Sequence, residues 1–472
     1  MLRLPALWFI CCLSVAAQDV KFVDRTQELK LAPSNAAACW ADLNNDGWSD
    51  LVAGAIWKNN GGKSFTKTGE AGACVAADFD NDGLVDLFSW SSLKLLHNKG
   101  EFQFKAVELP ELPKTVSRGA CWGDFNRDGF ADLLIGGYED WNAGITWPFI
   151  VLLNQKGKSF SLAQTESRLR TRGVTACDFD RDGDCDVYLS NYRLHPNQLF
   201  VSDGKGGFAD QAVPRNAIAT SPGFGGGHSI GAVWGDFNND GHFDLFAGNF
   251  AHQDGRGDQP KSRFLRNLGP AAGYKFEDKG TGGVHYQESY ATPAAGDYDN
   301  DGNLDVYFTT VYGVASFGRP NHPVLFRGNG DFKVTNANAS VQLPPLPPTY
   351  QAAWCDYDND GDLDLLTAGK LFQNQGTGHQ WIRLRVRGDG SVVNSSAIGV
   401  QVRVVAGDRT LARQVEAGTG EGNQNDLTLH FGLGDHSGPV SLEVFWTDGA
   451  VEKFSDVGSG KMVTVTYGEV TP

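Results

Sequence analysis

The sequence predicts an all-β protein, a seven-bladed β-propeller followed by a small β-sandwich or barrel. Three observations carry that expectation. The pattern D-x-[DN]-x-D-G-x-x-D recurs seven times, its first aspartates 36 to 61 residues apart, a spacing that suits a repeated supersecondary unit. Glycine is abundant, at 59 residues, with no fibrous period, as expected of many short strands joined by tight turns. From about His379 the aspartate pattern stops and apolar–polar alternation takes over. The expected divisions are 1–17 for a leader, 18–378 for the propeller and 379–472 for the terminal domain.

The chain opens with MLRLPALWFICCLSVAAQ. A positive start at Arg3, an apolar run over 4–13 and the small residues Val15, Ala16 and Ala17 are the parts of a secretory signal peptide. The mature protein is therefore expected to be secreted and extracellular, or periplasmic in a bacterium. No other stretch approaches the ~20 apolar residues of a membrane span. Of the eight cysteines, Cys11 and Cys12 lie in the leader. Cys39, Cys74, Cys121, Cys177, Cys185 and Cys355 show no CxxC zinc spacing. Cys177 and Cys185 flank one aspartate loop, so a disulfide there and small buried thiols on strands are both open.

Each unit reads as strand, aspartate loop, strand, then an apolar third strand, an Asn/Gly turn and a fourth strand containing Phe. "WKNNGGKSF" at Trp57, "LLNQKGKSF" at Leu152 and "LFRGNGDF" at Leu325 show the second half. The seventh unit stops after "LFQNQG" at Leu371, whereas "VKFVDRT" from Val20 stands unpaired at the other end. That segment is expected to supply the fourth strand of the last blade, closing the ring and hiding an open edge. In the tail, "QWIRLRVRG", "GVQVRVVAG", "DLTLHFGLG", "VSLEVFWTDG" and "KMVTVTYGE" read as strands of a second all-β domain.

The aspartate loops call for a cation. Their candidate ligands occupy positions 1, 3, 5 and 9, with a backbone carbonyl at position 7. They are Asp42, Asn44, Asp46, Trp48 and Asp50; Asp78, Asp80, Asp82, Leu84 and Asp86; Asp124, Asn126, Asp128, Phe130 and Asp132; and Asp178, Asp180, Asp182, Asp184 and Asp186. The later loops offer Asp236, Asn238, Asp240, His242 and Asp244; Asp297, Asp299, Asp301, Asn303 and Asp305; and Asp356, Asp358, Asp360, Asp362 and Asp364. Oxygen-only sets of this size suit calcium, up to seven ions, and disfavour zinc or copper. Glycine at position 6 permits the reversal that returns position 9 to the ion. An EF-hand needs glutamate at position 12, where these loops have Ala53, Ser89, Ile135, Leu189, Ala247, Phe308 or Thr367. A metal-free Asx turn accounts for one copy but poorly for seven. The formal charge of −16, which seven divalent ions nearly cancel, argues against nucleic-acid binding.

These loops resemble the FG-GAP/VCBS repeats of integrin α-subunit propellers. "GGGHSIGAVWGDFNNDGHFDLF" and "SNYRLHPNQLFVSDGKGGF" resemble the cartilage acidic protein group and its bacterial relatives, and "SSAIGVQVRVVAG", "HFGLGD" and "VFWTDG" resemble the ASPIC/UnbV domain that ends those chains. The resemblance implies calcium-binding blades and an extracellular, non-catalytic role. Two departures favour a bacterial member. No cysteine follows Cys355 to build an EGF-like module, and "VNSSAIG" lacks the usual arginine before Ser-Ala.

The long insertions fall on the face opposite the aspartate loops, where a protein or glycan ligand would dock. Trp141, Trp147, Tyr192, Arg193, His252, Tyr312 and Arg319 are the candidate partner-binding residues. "GHSIG" around Ser229 matches a nucleophile elbow but lacks the strand-then-helix setting, and "RGD" at Arg256 is too short to weigh. The expected function is a non-catalytic binding or adhesion module, integrin α-like in its repeats. The alternative is an extracellular, polysaccharide-directed enzyme working on the insertion face.

Overall fold

The computed structural model describes residues 20–166 and 169–471, so the expected leader, with Cys11 and Cys12, lies outside the described residues. Seven four-stranded antiparallel sheets follow one another along the chain. In each, the first strand ends just before position 1 of an aspartate loop and the second starts at position 9. In the first sheet these are Cys39–Ala41 and Asp50–Val52, followed by Ala55–Asn59 and Phe65–Glu70. The first strand of every sheet touches that of the next, and Ala352–Cys355 of the seventh touches Cys39–Ala41 of the first, so the sheets close a ring. This is a β-propeller. The N-terminal strand Phe22–Asp24 pairs antiparallel with Lys370–Asn374, Phe22 opposite Asn374, and completes the seventh sheet with chain from the other end.

The residue two places before each loop alternates in size around the ring: Trp40, Ala76, Trp122, Ala176, Trp234, Ala295 and Trp354. All four tryptophans are buried, each filling the gap between its own sheet and the one before. Trp122 meets Phe88 of the preceding sheet edge-on at 6.3 Å, and Trp234 stacks on Phe179 at 5.8 Å. Large–small alternation fills such wedges without voids, but it cannot close around seven sheets, and Trp354 and Trp40 fall in neighbouring ones.

All six described cysteines are free and buried. Cys177 pairs in register with Asp186, so the adjacent Cys185 points to the other face of the sheet. The two thiols belong to separate apolar clusters, which excludes the disulfide considered from sequence.

From Gln380 the chain forms two more four-stranded sheets. One holds Leu429–Gly434, Gln380–Arg387, Met462–Thr466 and Glu469–Thr471; the other holds Arg409–Gln414, Gln401–Ala406, Val440–Phe445 and Val451–Val457. This unit sits on the loop face of the ring and touches all seven loops. Arg385 Nη2 lies 3.2 Å from Asp42, Ser395 Oγ donates to Asp78 at 2.5 Å, and Arg383 Nη1 reaches Asp356 at 2.9 Å. Gln401 donates to the Asp178 carbonyl, Arg403 to that of Gly241, and the Gly432 amide to Asp297. Gly129 of the third loop abuts the Ser391 carbonyl.

The connection at 415–428, with "AGTGEGNQN" at its centre, fills the channel of the ring. The Trp122 amide donates to Ala417 O at 2.9 Å, Gly420 N–H to Ala232 O at 3.1 Å, and Gln424 N–H to Ala38 O at 2.8 Å. Gln424 Oε1 accepts from the Ala76 amide at 2.8 Å, and the Asp426 amide donates to Trp354 O at 3.1 Å. Glu421 forms a buried ion pair with Arg172 at 2.7 Å. At its glycines the plug fits without room to spare. Gly420 has φ +59° and a Cβ there would stand 2.3 Å from Thr292 Cγ2, while one on Gly422 (φ +69°) would stand 2.4 Å from the Trp90 ring.

Gly420→Val is therefore expected to cost about 3 kcal/mol or more. The check is thermal melting with limited proteolysis: the tail beyond residue 379 becomes cleavable while the far-UV spectrum of the ring persists.

Candidate metal centres

All seven loops share one scaffold. Position 1 accepts the position 5 amide on Oδ1 and the glycine amide of position 6 on Oδ2, as Asp78 does from Asp82 at 3.1 Å and Gly83 at 2.7 Å. Position 4 takes left-handed backbone, φ 55–58° from Asn45 to Asn359. The position 7 amide ties to the position 5 carboxylate, as Leu84 to Asp82 at 2.9 Å. Position 9 accepts an amide from the third strand. Asn98 N–H reaches Asp86 Oδ1 at 2.7 Å, and the Asn98 side chain donates back to Val85 O and across to Leu43 O of the preceding loop. Asn59, Asn154, Asn267 and Asn374 repeat this latch. Ser202 replaces it in the fourth sheet, bonding Phe125 O, and the sixth has Gly328. The sequence showed this asparagine only as part of a turn; its role between sheets needed the fold.

Position 3 divides the loops. In loops 1, 3 and 5 it is Asn44, Asn126 or Asn238, whose amides donate to the position 5 carboxylates at 2.8, 3.3 and 2.8 Å. In loops 2, 4, 6 and 7 it is Asp80, Asp180, Asp299 or Asp358, and in each the Oδ1 is buried without a hydrogen-bond partner. In those four loops carboxylate oxygens of three residues lie within 4.8 Å of one another: Asp78, Asp80 and Asp86; Asp178, Asp180 and Asp186; Asp297, Asp299 and Asp305; Asp356, Asp358 and Asp360. Four repeated orphan oxygens facing like-charged neighbours are what a divalent cation would satisfy, and the donor sets fit one. In loop 2, His97 Nε2 adds a nitrogen 3.1 Å from Asp80 and 3.2 Å from Asp82.

Burial raises these carboxyls. Asp50 is pushed to about 8 and Asp86 to about 9, desolvation outweighing the amides they accept. Asp78 and Asp124 rise to about 6 for the same reason.

The face opposite carries the candidate partner residues. Arg193 lies over the Trp141 ring at 3.7 Å, and Trp141 is 62% exposed. Arg193 also pairs with Glu139, and Tyr192 packs between Arg172 and His228. His252 bonds Glu288 at 2.7 Å, and His252 and Tyr312 meet on Phe250. Trp147 is half-buried beneath Lys114, and Arg319 is exposed. Ser229 is buried inside the strand His228–Gly235, its Oγ bonded to Asn249 Oδ1 at 2.6 Å, so it is no nucleophile elbow. The Gly257–Asp258 part of "RGD" lies in a two-stranded hairpin on the same face.

A ring of aspartate-loop sheets closed by a β-domain defines a β-propeller protein with FG-GAP-like repeats. Residues 78–135 and 178–247 match the FG-GAP-like repeat, and 390–472 match the ASPIC and UnbV domain. The chain is homologous to cartilage acidic protein 1: 26% identity to the human protein over 311 residues, 62% of this chain and 43% of that one. The mouse protein is 27% identical and the Xenopus tropicalis protein 26%. The match thus spans less than half the length of these relatives. Among solved structures, an Agrocybe aegerita lectin that recognises non-reducing terminal N-acetylglucosamine aligns over 65% of this chain and 80% of its own, at 14% identity and TM-score 0.40. The V. cholerae biofilm matrix protein Bap1 aligns over 93% and 91% at 13% identity and TM-score 0.21.

Two outcomes are expected. Titration of the metal-stripped protein with a divalent ion gives four tight sites and three weak ones, and Asp180→Asn converts one tight site to weak by calorimetry. In chelator, stability falls as pH rises from about 4 toward about 9. Carboxyls with folded pKa values above their unfolded ones bind protons preferentially in the fold, and that advantage is lost as they ionise. Melting temperature against pH should therefore slope down without metal and flatten with it.

Proposed function

We propose that this is a secreted, calcium-stabilised, non-catalytic propeller that binds an extracellular protein or glycan on the face opposite its aspartate loops. Calcium is favoured by the carboxylate-rich sets, the buried orphan carboxylate oxygens and the tolerance of that ion for six to eight ligands. The observation that carries the rest is the cap. The terminal domain contacts every loop and its 415–428 segment fills the channel, leaving the insertion face as the broad surface open to a partner. That face carries the exposed Trp141 and Tyr312 and the Trp141–Arg193 stack, residue types that dominate recognition surfaces. Among the described residues no helix is long and apolar enough to cross a membrane.

The test is a panel of extracellular proteins and oligosaccharides presented to the calcium-loaded chain, with product analysis alongside. Saturable binding without turnover, weakened about tenfold or more by Trp141→Ala, is the expected result. Turnover of a polysaccharide makes the protein an enzyme; binding retained after chelator-induced melting removes the role given to calcium.

A further inference from the structure

The plug that enters the ring from the loop face ends at the opposite mouth, where Gly422 meets Trp90 and Glu421 meets Arg172. Trp90 Nε1 donates to Gly422 O at 3.1 Å, and Arg172, held by Glu421, stands at the centre. Tyr138, Tyr192 and Tyr350 surround that guanidinium at 5.3, 5.3 and 4.9 Å. All three rings are half-buried. Among buried tyrosines elsewhere, Tyr188 bonds its hydroxyl to Ala217 O at 3.0 Å and Tyr307 to Thr367 at 3.2 Å, whereas Tyr298 and Tyr357 leave theirs without a protein partner among the described residues. Among the described residues the hydroxyls of Tyr138, Tyr192 and Tyr350 take part in no hydrogen bond. Glu421 cancels the charge of Arg172. Arg118, exposed and 5.5 Å over Tyr138, forms no ion pair among the described residues.

We propose that this mouth is a carbohydrate site and that the sugar it takes carries a carboxylate. The proposal rests on the insertion face being the recognition face. Aromatic faces pack on the C–H faces of pyranose rings, and convergent free hydroxyls match a polyol. Arg118, without an ion pair among the described residues, supplies a cation beside the tyrosines, suited to a uronate. A peptide added as a strand would need a sheet edge, and among the described residues the innermost strands pair with their own second strands and with the plug.

The test uses the calcium-loaded full chain and three probes: a tetragalacturonate, its neutral carboxyl-reduced counterpart and a polyglutamate peptide. Tyr350→Phe keeps the ring on Arg172 and removes only a hydroxyl; Arg118→Gln changes only an exposed side chain. Titration calorimetry should show tetragalacturonate binding about tenfold tighter than the neutral sugar. Arg118→Gln should erase that preference, and Tyr350→Phe should weaken both sugars by roughly threefold to tenfold. Polyglutamate binding as well as the uronate overturns the ligand class. Binding unchanged by both variants but lost in Trp141→Ala overturns the mouth and leaves the recognition face standing. No sugar bound, while another ligand still binds through Trp141, has the same meaning. Absence of all binding sinks both.

Discussion

Carboxylates crowded into a water-poor loop repel one another, and the molecule is organised around relieving that repulsion. Position 1 is clamped by two backbone amides, position 9 by one from the third strand, and position 5 by the amide at position 7. Loops 1, 3 and 5 relieve the rest internally, through an asparagine amide. Loops 2, 4, 6 and 7 place an aspartate there and leave a buried oxygen unsatisfied, a donor that a cation could satisfy. The same position 9 aspartate orients the asparagine that latches one sheet to its predecessor. Loop chemistry and ring integrity are therefore one problem, and chelation should be felt across the ring.

The formal charge of −16 gives a misleading picture of the surface. Twenty-seven of the 56 acidic residues lie in the seven loops, beneath the cap, some paired with Arg383 and Arg385. The remaining chain holds 38 basic residues, Arg127 and Arg181 lying within loops, against 29 acidic ones. An acidic pI therefore does not forbid an anionic partner on the far face, where Arg118, Arg172 and Arg193 gather among tyrosines. Net charge predicts association only when the charges that make it up are exposed.

The cap turns a ring with two faces and a hole into a body with one open face. Its ion pairs with position 1 aspartates mean that removing the tail would bare carboxylates as well as channel-lining backbone. The Arg172–Glu421 pair extends this linkage to the far mouth, since breaking a buried pair by removing one member typically costs about 3–5 kcal/mol. The plug thus holds the centre of the insertion face in place from behind.

What the sequence determined by itself was whatever repeats or is local: seven loops with their ligand types, four strands per unit, closure by the segment at Val20, and alternation in the tail. These follow from periodicity and turn chemistry, which act over a few residues. The Asn59-type latch was visible only as a recurring Asn–Gly turn, and "AGTGEGNQN" gave no sign of its place, because glycines chosen for close approach look like those of any loop. Tertiary structure alone decided that Cys177 and Cys185 face apart, that the tail covers the aspartate loops, and that three tyrosines from different sheets ring Arg172. Each depends on which surfaces meet across hundreds of residues, a matter of shape and burial that local pattern does not encode.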